Sequence, residues 1–278
     1  MHQQTKKRIM LIDAHSHLNG YDLLDKGALD AALAEIVEHK IFTVSNSMDL
    51  PSYRRNLEIA AKCDLILPVF GVHPWYASEY IDRLHELHEA VERSPMIGEI
   101  GLDHYFIEDR TAYRDQARVF EYFLGVAADQ DKSVILHMKG AERETLDLLN
   151  RYHTRRAIVH WYSGPLEIFR ELVARGAYFT VGVEALFSKH VQDIAKEIPP
   201  DRLLTETDNP GGPKEFIGRP GTPILVKDVI RKLAEIRTTT EEAIIRAVQA
   251  NLTELMRNDP RLADAVKKIK FGDITEIS

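Results

Sequence analysis

Short apolar runs alternate with longer amphipathic stretches along most of the chain. Eight runs read as strands: 9–13, 42–45, 65–69, 96–100, 133–136, 157–159, 178–181 and 203–205. Most are near-continuous in apolar residues rather than alternating, as in parallel strands covered on both faces. Between them lie helical patterns. Leu29, Ala32, Leu33, Ile36 and Val37 share one face of a helix over 29–39. The stretches 80–92, 116–129 and 166–175 read the same way. The last clear helix is 239–256, where Thr240 and two glutamates suit its N-terminus. Eight strand–helix units predict an α/β chain folded as a distorted TIM (β/α)8 barrel over about 9–257. A doubly wound open sheet is the competing arrangement. The whole chain, 1–278, is expected to form a single domain, with 258–278 as a tail without assigned function.

The chemistry follows from where certain residues fall. Metal-ligand residue types sit at or just past the C-terminal ends of five of these strands, the end at which barrel active sites are built. The first strand leads into Asp13-Ala14-His15-Ser16-His17, and the fourth into Gly98-Glu99-Ile100-Gly101-Leu102-Asp103. The fifth ends at His137, the sixth at His160, and the eighth near Asp208 in Thr205-Glu206-Thr207-Asp208-Asn209-Pro210. Side chains alternate along a strand, so His15 and His17 are expected on one side, able to chelate one ion. The expected metal ligands are His15, His17, Glu99, His137, His160 and Asp208. Four imidazoles and two carboxylates suit a pair of divalent cations, with Glu99 in the middle as the bridge. Nitrogen and oxygen donors fit zinc, manganese, iron or cobalt. Two such ions can clamp a phosphoryl oxygen.

Composition narrows the picture. Hydrophobic residues make up 44% and charged residues 28% of the chain, which excludes a disordered or collagen-like polymer. No apolar run is long enough to cross a membrane. The polar start, Met1-His2-Gln3-Gln4-Thr5-Lys6-Lys7-Arg8, is not expected to act as a secretory signal. The one cysteine, Cys63, cannot form an internal disulfide, so a cytoplasmic setting is expected. Cys63 has no activating partner in sequence and reads as a packed thiol. The net charge of −7 argues against broad electrostatic binding of duplex DNA. It leaves room for a strand end held by metal ions.

Several motifs together resemble the TatD family of metal-dependent deoxyribonucleases, within the amidohydrolase-like barrels. They are Asp13-Ala14-His15-Ser16-His17, Gly71-Val72-His73-Pro74, Gly98-Glu99-Ile100-Gly101-Leu102-Asp103, His137, His160-Trp161-Tyr162-Ser163-Gly164 and Glu206-Thr207-Asp208-Asn209-Pro210. The resemblance implies a distorted barrel with two divalent ions, zinc, magnesium or manganese. It implies His15, His17, Glu99 and Asp208 on one ion and Glu99, His137 and His160 on the other. It also implies hydrolysis of phosphodiester bonds, commonly in single-stranded DNA and often from an end. This sequence departs from the commoner pattern at Lys139, where many relatives carry Arg. It also departs at Trp161-Tyr162-Ser163 and at Asn209, changes that bear on substrate shape rather than on the ligands.

Asp208, Glu99 and His73 are the expected catalytic residues. Asp208 would accept a proton from the attacking water. His73, outside the ligand set, and Lys139 would hold the phosphate. Trp75, Tyr105, Trp161 and Tyr162 fall in loops of the active face and could stack on bases. Glu206 could orient a ligand. Lys214 and Arg219 could add positive charge at the mouth. Arg151, His153, Arg155 and Arg156 precede the sixth strand and belong to the opposite end of the barrel. A hydrolase of the same barrel cutting an ester or amide, such as an aminoacyl-tRNA ester, is the alternative. Related barrels bridge their metals with a carbamylated lysine on strand four, whereas no lysine occurs between Arg93 and Arg110. A non-catalytic metal-binding protein is a further alternative, disfavoured by the full ligand set. A monomer without membrane association, acting on single-stranded or end-accessible DNA, is the working expectation.

Overall fold

The computed structural model describes residues 10–271. Ile9 of the first expected strand and 272–278 of the expected tail lie outside them. Eight strands follow one another: β1 (Leu11–Ser16), β2 (Ile41–Asn46), β3 (Ile66–Val69), β4 (Ile97–Asp103), β5 (Val134–Lys139), β6 (Ala157–Val159), β7 (Tyr178–Val181) and β8 (Leu203–Thr205). Neighbours pair in parallel, in two ladders ordered β1-β2-β3 and β4-β5-β6-β7-β8. An isolated bridge between Phe70 and Ile97 joins the ladders. β8 meets β1 through single bonds instead of a ladder. The Thr205 hydroxyl donates to Ile12 O at 2.6 Å. Asp208 N donates to His15 O at 3.0 Å, and His17 N to Asn209 O at 2.8 Å. The expected distorted barrel therefore holds, with two irregular seams, and the open-sheet arrangement does not.

The apolar runs do what their composition dictates. Val134, Ile135 and Leu136 of β5 are all fully buried, as are Ile158 and Val159 of β6. Strand ends differ from expectation at the functional end. β1, β4 and β5 run three residues further than expected, through Ala14-His15-Ser16, Gly101-Leu102-Asp103 and His137-Met138-Lys139, where polar residues interrupt the apolar run. Two of these strands carry a bulge. Between Asp13 and Ser16, β1 spends three steps against two on β2. Between Ile97 and Ile100, β4 does the same against β5. A bulge re-aims the side chains beside it; these two enclose His15 and Glu99.

Helices at Ala28–His39, Leu166–Ala174 and Glu241–Met256 lie within two residues of expectation. The helix expected over 116–129 runs Thr111–Gln130 and so begins five residues earlier. The Thr240 hydroxyl accepts from Ala243 N at 3.1 Å. The single helix expected over 80–92 is broken. A short helix ends at Tyr80, a 3-10 turn covers Leu84–Leu87, and a second helix runs His88–Arg93. The break at Arg83 lets the Tyr80 hydroxyl accept from Leu50 N at 3.3 Å while Leu87 and Val91 bury beyond it. Leu50–Ala60, Glu142–Arg151, Lys189–Glu197 and Val226–Ile236 are further helices. The first opens on a reciprocal cap between Asp49 and Ser52. The expected tail is not a loose appendage where it is described. Pro260–Leu262 and Ala263–Phe271 are helical, and Leu262, Ala265 and Ile269 bury into the core. No helix among the described residues is long and apolar enough to cross a membrane.

Candidate metal centre

The first half of the centre lies at the β1–β8 seam. His15 sits in the β1 bulge, and His17 begins the turn that follows. His17 Nδ1 faces the Asn46 carbonyl at 3.2 Å, which leaves Nε2 to point inward. Asp208 is held in a left-handed conformation, φ 54°. Its loop is anchored by buried Asp13, which accepts from Thr207 N at 2.9 Å, Thr207 Oγ1 at 2.6 Å and Asn209 Nδ2 at 3.2 Å. Gly212 must be glycine, since a Cβ there would lie 2.1 Å from Asp208 Oδ2 and 2.7 Å from the Trp161 ring.

These elements bring four side chains together. His15 Nε2 and His17 Nε2 are 3.2 Å apart. Glu99 Oε2 is 3.4 and 3.2 Å from them, and Asp208 Oδ1 is 3.6 and 3.4 Å from them. Metal–ligand bonds of about 2.0–2.1 Å give a tetrahedron edges of about 3.3–3.4 Å. Five edges of one polyhedron are thus already at coordination length, and the donor set fits a divalent cation.

The second half surrounds the other oxygen of Glu99. His137 Nδ1 is 2.9 Å from Glu99 Oε1, and His73 Nε2 and His160 Nε2 are each 3.6 Å from it. His73 Nε2 is also 3.3 Å from His137 Nδ1. His73, expected outside the ligand set, therefore joins the cluster that Glu99 and His137 form. Outer partners set the rings. His137 Nε2 is 3.0 Å from Asp103 Oδ2, which also accepts from Trp75 Nε1 at 2.7 Å. Tyr105 N and Phe106 N donate to Asp103 Oδ1. His160 Nδ1 lies 2.8 Å from Glu206 Oε2, and the His160 ring stacks on His15 at 3.6 Å. Glu206 thus takes the orienting place expected of it. Gly101, at φ 146°, lets β4 pass β5 at the carbonyl of His137, where a Cβ would clash.

Charge in this buried pocket is unevenly spread. Burial pushes His15 and His73 down to about 4 and holds His160 well below the ordinary range, so all three are neutral and free to donate lone pairs. Burial opposes ionisation of Glu99, but the imidazoles around it, His73 first, hold its carboxyl well below the usual value, and of these His137, hydrogen-bonded to Oε1, is the one whose own shift keeps it charged. Burial raises Asp208 well above it and Glu206 to about 7. Against burial, Asp103 and Glu99 raise His137 to about 9. Glu206 Oε1 and His15 Nδ1 are buried without a partner.

The substrate-side expectations divide. Trp75 and Tyr105 are exposed beside the second half, joined by Phe106. Trp161 is buried instead, its indole donating to Glu184 and its ring against Phe216. Tyr162 is core, with its hydroxyl on Pro165 O. Lys139 does not stand free for a phosphate; its ammonium donates to Trp161 O at 2.9 Å and to Ser163 Oγ at 2.7 Å. Burial lowers its pKa. Lys214 and Arg219 are exposed. Arg151 and Arg156 pair with Glu121 and Asp131, away from the centre. Asp103 has no role assigned from sequence; its place two residues beyond Gly101 in the strand-four motif is the signal that points to it. Phe106 and Phe187 carry no signal beyond being aromatic in loops, and Phe216, in the short helix Lys214–Ile217, carries none beyond its aromatic ring.

The TatD related DNase family model matches residues 12–257. The uncharacterized metal-dependent hydrolase YabD of Bacillus subtilis (strain 168) is 31% identical over 259 residues, 89% of this chain and 99% of its own length. Human deoxyribonuclease TATDN3 is 24% identical, over 93% of this chain and 97% of its own. The crystal structure of YJJV, a TatD homolog from Escherichia coli K12, has a TM-score of 0.78 at 25% identity. It covers 95% of this chain and 98% of that one.

Proposed function

This chain belongs to the TatD-related DNase family and is a metal-dependent hydrolase, and from that premise we propose that it is a deoxyribonuclease cutting phosphodiester bonds in single-stranded or end-accessible DNA. The observation that carries the reading is the two-sided use of Glu99. Oε2 completes a four-donor set with His15, His17 and Asp208, while Oε1 faces His137, His73 and His160. In this reading the first set would hold one ion and the second set another, with Glu99 contributing an oxygen to each set. When bound, such ions supply Lewis-acid charge to a phosphoryl group and lower the pKa of nearby water.

The chain's own residues do the rest. Asp208 is the carboxylate with a side chain reaching the mouth, and it accepts the proton of the attacking water. Glu206 and Asp103 fix His160 and His137 in the tautomers that present a lone pair inward. Lys139 has two of its three donors spent, so it fixes the loop carrying Trp161 rather than gripping phosphate. Among the described residues no serine or cysteine is placed at the centre as a nucleophile, which fits direct attack by water.

The test is hydrolysis of a short end-labelled single-stranded DNA. Chelated protein would be supplied in turn with Mg²⁺, Mn²⁺ or Zn²⁺, with His137→Ala as the control. Metal-dependent shortening of the strand, lost in the control, is the expected result. An intact strand with every metal, alongside hydrolysis of a simple carboxylic ester, would overturn the nuclease reading.

A further inference from the structure

We propose that two ladders of aromatic rings, one leading outward from His73 and one from His160, form with their exposed outer members a stacking site for the unpaired bases of one nucleic-acid strand. The proposal rests on the nuclease reading above and names how its substrate is held. The first ladder starts at His73. Ring centroids lie 4.8 Å apart from His73 to Trp75, 6.0 Å from Trp75 to Phe106 and 4.8 Å from Phe106 to Tyr105. The second starts at His160, with steps of 6.0 Å to Trp161, 5.7 Å to Phe216 and 6.1 Å to Phe187. The two inner histidines meet at one atom, each with Nε2 3.6 Å from Glu99 Oε1.

Exposure rises along both ladders. It climbs from 3% at His73 through 48% at Trp75 to 71% at Tyr105, and from 8% at Trp161 to 56% at Phe187. Single exposed apolar residues are ordinary on a protein surface, whereas clustered ones mark interaction sites. Among the described residues, six large apolar side chains are exposed: Leu23, Val37, Trp75, Tyr105, Phe106 and Phe187. Four of the six belong to these ladders. The indoles are also tethered, Trp75 to Asp103 and Trp161 to Glu184, so the ring positions are set before anything binds.

The chemistry selects the occupant. Every base has a face that stacks on an aromatic ring, whatever the sequence. Bases in a duplex are already stacked on one another, so the rings favour an unpaired strand. A chain of net charge −7 gains little from its overall field when it binds a polyanion, and stacking supplies attraction that charge does not. A phosphate at Glu99 would place the flanking bases towards the two ladders.

The experiment reads binding directly. Trp75 and Trp161 are the two tryptophans of the chain; Trp75 is exposed while Trp161 is buried beneath Phe216, so a change in the exposed indole's fluorescence reports occupancy. Zn²⁺-loaded full-length protein would be titrated with a short single-stranded oligothymidylate carrying cleavage-resistant phosphorothioate links. The same backbone with abasic residues would be titrated in parallel. One base stacked on an aromatic ring corresponds to about 5- to 150-fold in affinity. We expect quenching by the base-bearing strand and at least about tenfold weaker binding of the abasic one. Phe187→Ala and the pair Tyr105→Ala/Phe106→Ala should each weaken binding by about fivefold or more while melting like the wild type. Equal affinity for the two strands overturns the proposal on wild-type protein alone, and so does unchanged binding by folded variants. Ordinary phosphodiester strands separate it from the reading beneath it. Cleavage with base-blind binding removes the stacking site and keeps the nuclease. Base-dependent binding without cleavage by any metal does the reverse. A strand neither bound nor cut removes both.

Discussion

The seam half of the centre, His15, His17 and Asp208, is positioned by backbone, whereas the half around His137 is positioned by side chains. At the seam a bulge, a left-handed residue and two interstrand bonds fix where the ligand atoms fall. Around His137 the strand is regular, and Asp103, Trp75 and Glu206 decide how the imidazoles turn. Backbone placement resists small changes until a steric limit is crossed and then fails abruptly. Placement by hydrogen bonds degrades in steps, one partner at a time. The two halves should therefore answer differently to substitution.

The largest effect is expected at the seam. Gly212→Ala would drive a Cβ into Asp208 Oδ2 and Trp161. Displacing a ligand by about 1 Å should cost about 10²-fold in kcat/KM. Metal titration should show the loss falling on one ion while far-UV circular dichroism stays native. Normal turnover by this variant would mean that Asp208 is not where its role requires.

Asp103→Asn comes next. It would set an amide against the donors of Trp75 and His137, and metal affinity should fall about 10- to 100-fold. Equilibrium dialysis against a competing chelator measures it. Losses of equal size on both ions would erase the distinction between the halves.

The smallest effect is on stability. Burial raises the carboxyls of Asp13 and Glu206 to about 7, against about 4 in an unfolded chain. A raised carboxyl contributes stability that is full below the unfolded value and lost as pH rises through about 7. The lowered histidines His15, His73 and His160 act in the opposite sense over the same range, so the carboxyl contribution is read as a difference: between pH 5.5 and 8 the Tm of metal-free Glu206→Gln should fall by about 4–8 °C less than that of the wild type. With metal bound the trend should flatten or reverse, because cations replace the protons. Differential scanning fluorimetry with and without chelator checks both arms, and the same pH dependence of Tm in metal-free wild type and Glu206→Gln would contradict the assignment.

Much of this was readable in the chain. The strand cores 157–159, 178–181 and 203–205 were placed to the residue, because a strand buried on both faces must be continuously apolar. All six ligand candidates converge at one end of the barrel. The polar ends of β1, β4 and β5 were missed for the complementary reason. Metal-facing residues are hydrophilic, so a hydrophobic pattern ends before the strand does. His73 was placed on the right face but outside the cluster, since its distance to Glu99 depends on how β3 meets β4 at the single Phe70–Ile97 bridge. Lys139 and Trp161 looked available to substrate, yet each satisfies the other's loop.

The sequence by itself determined the alternation of buried strands and helices, and with it the barrel. It also determined which residue types reach the functional end, because burial and periodicity are local properties of the chain. Only the tertiary structure decided which atoms meet. The bulges at His15 and Glu99 insert one residue against a partner strand. Such a shift is set by packing between elements distant in sequence, and it turns a side chain to a new direction without leaving a mark in the hydrophobic pattern.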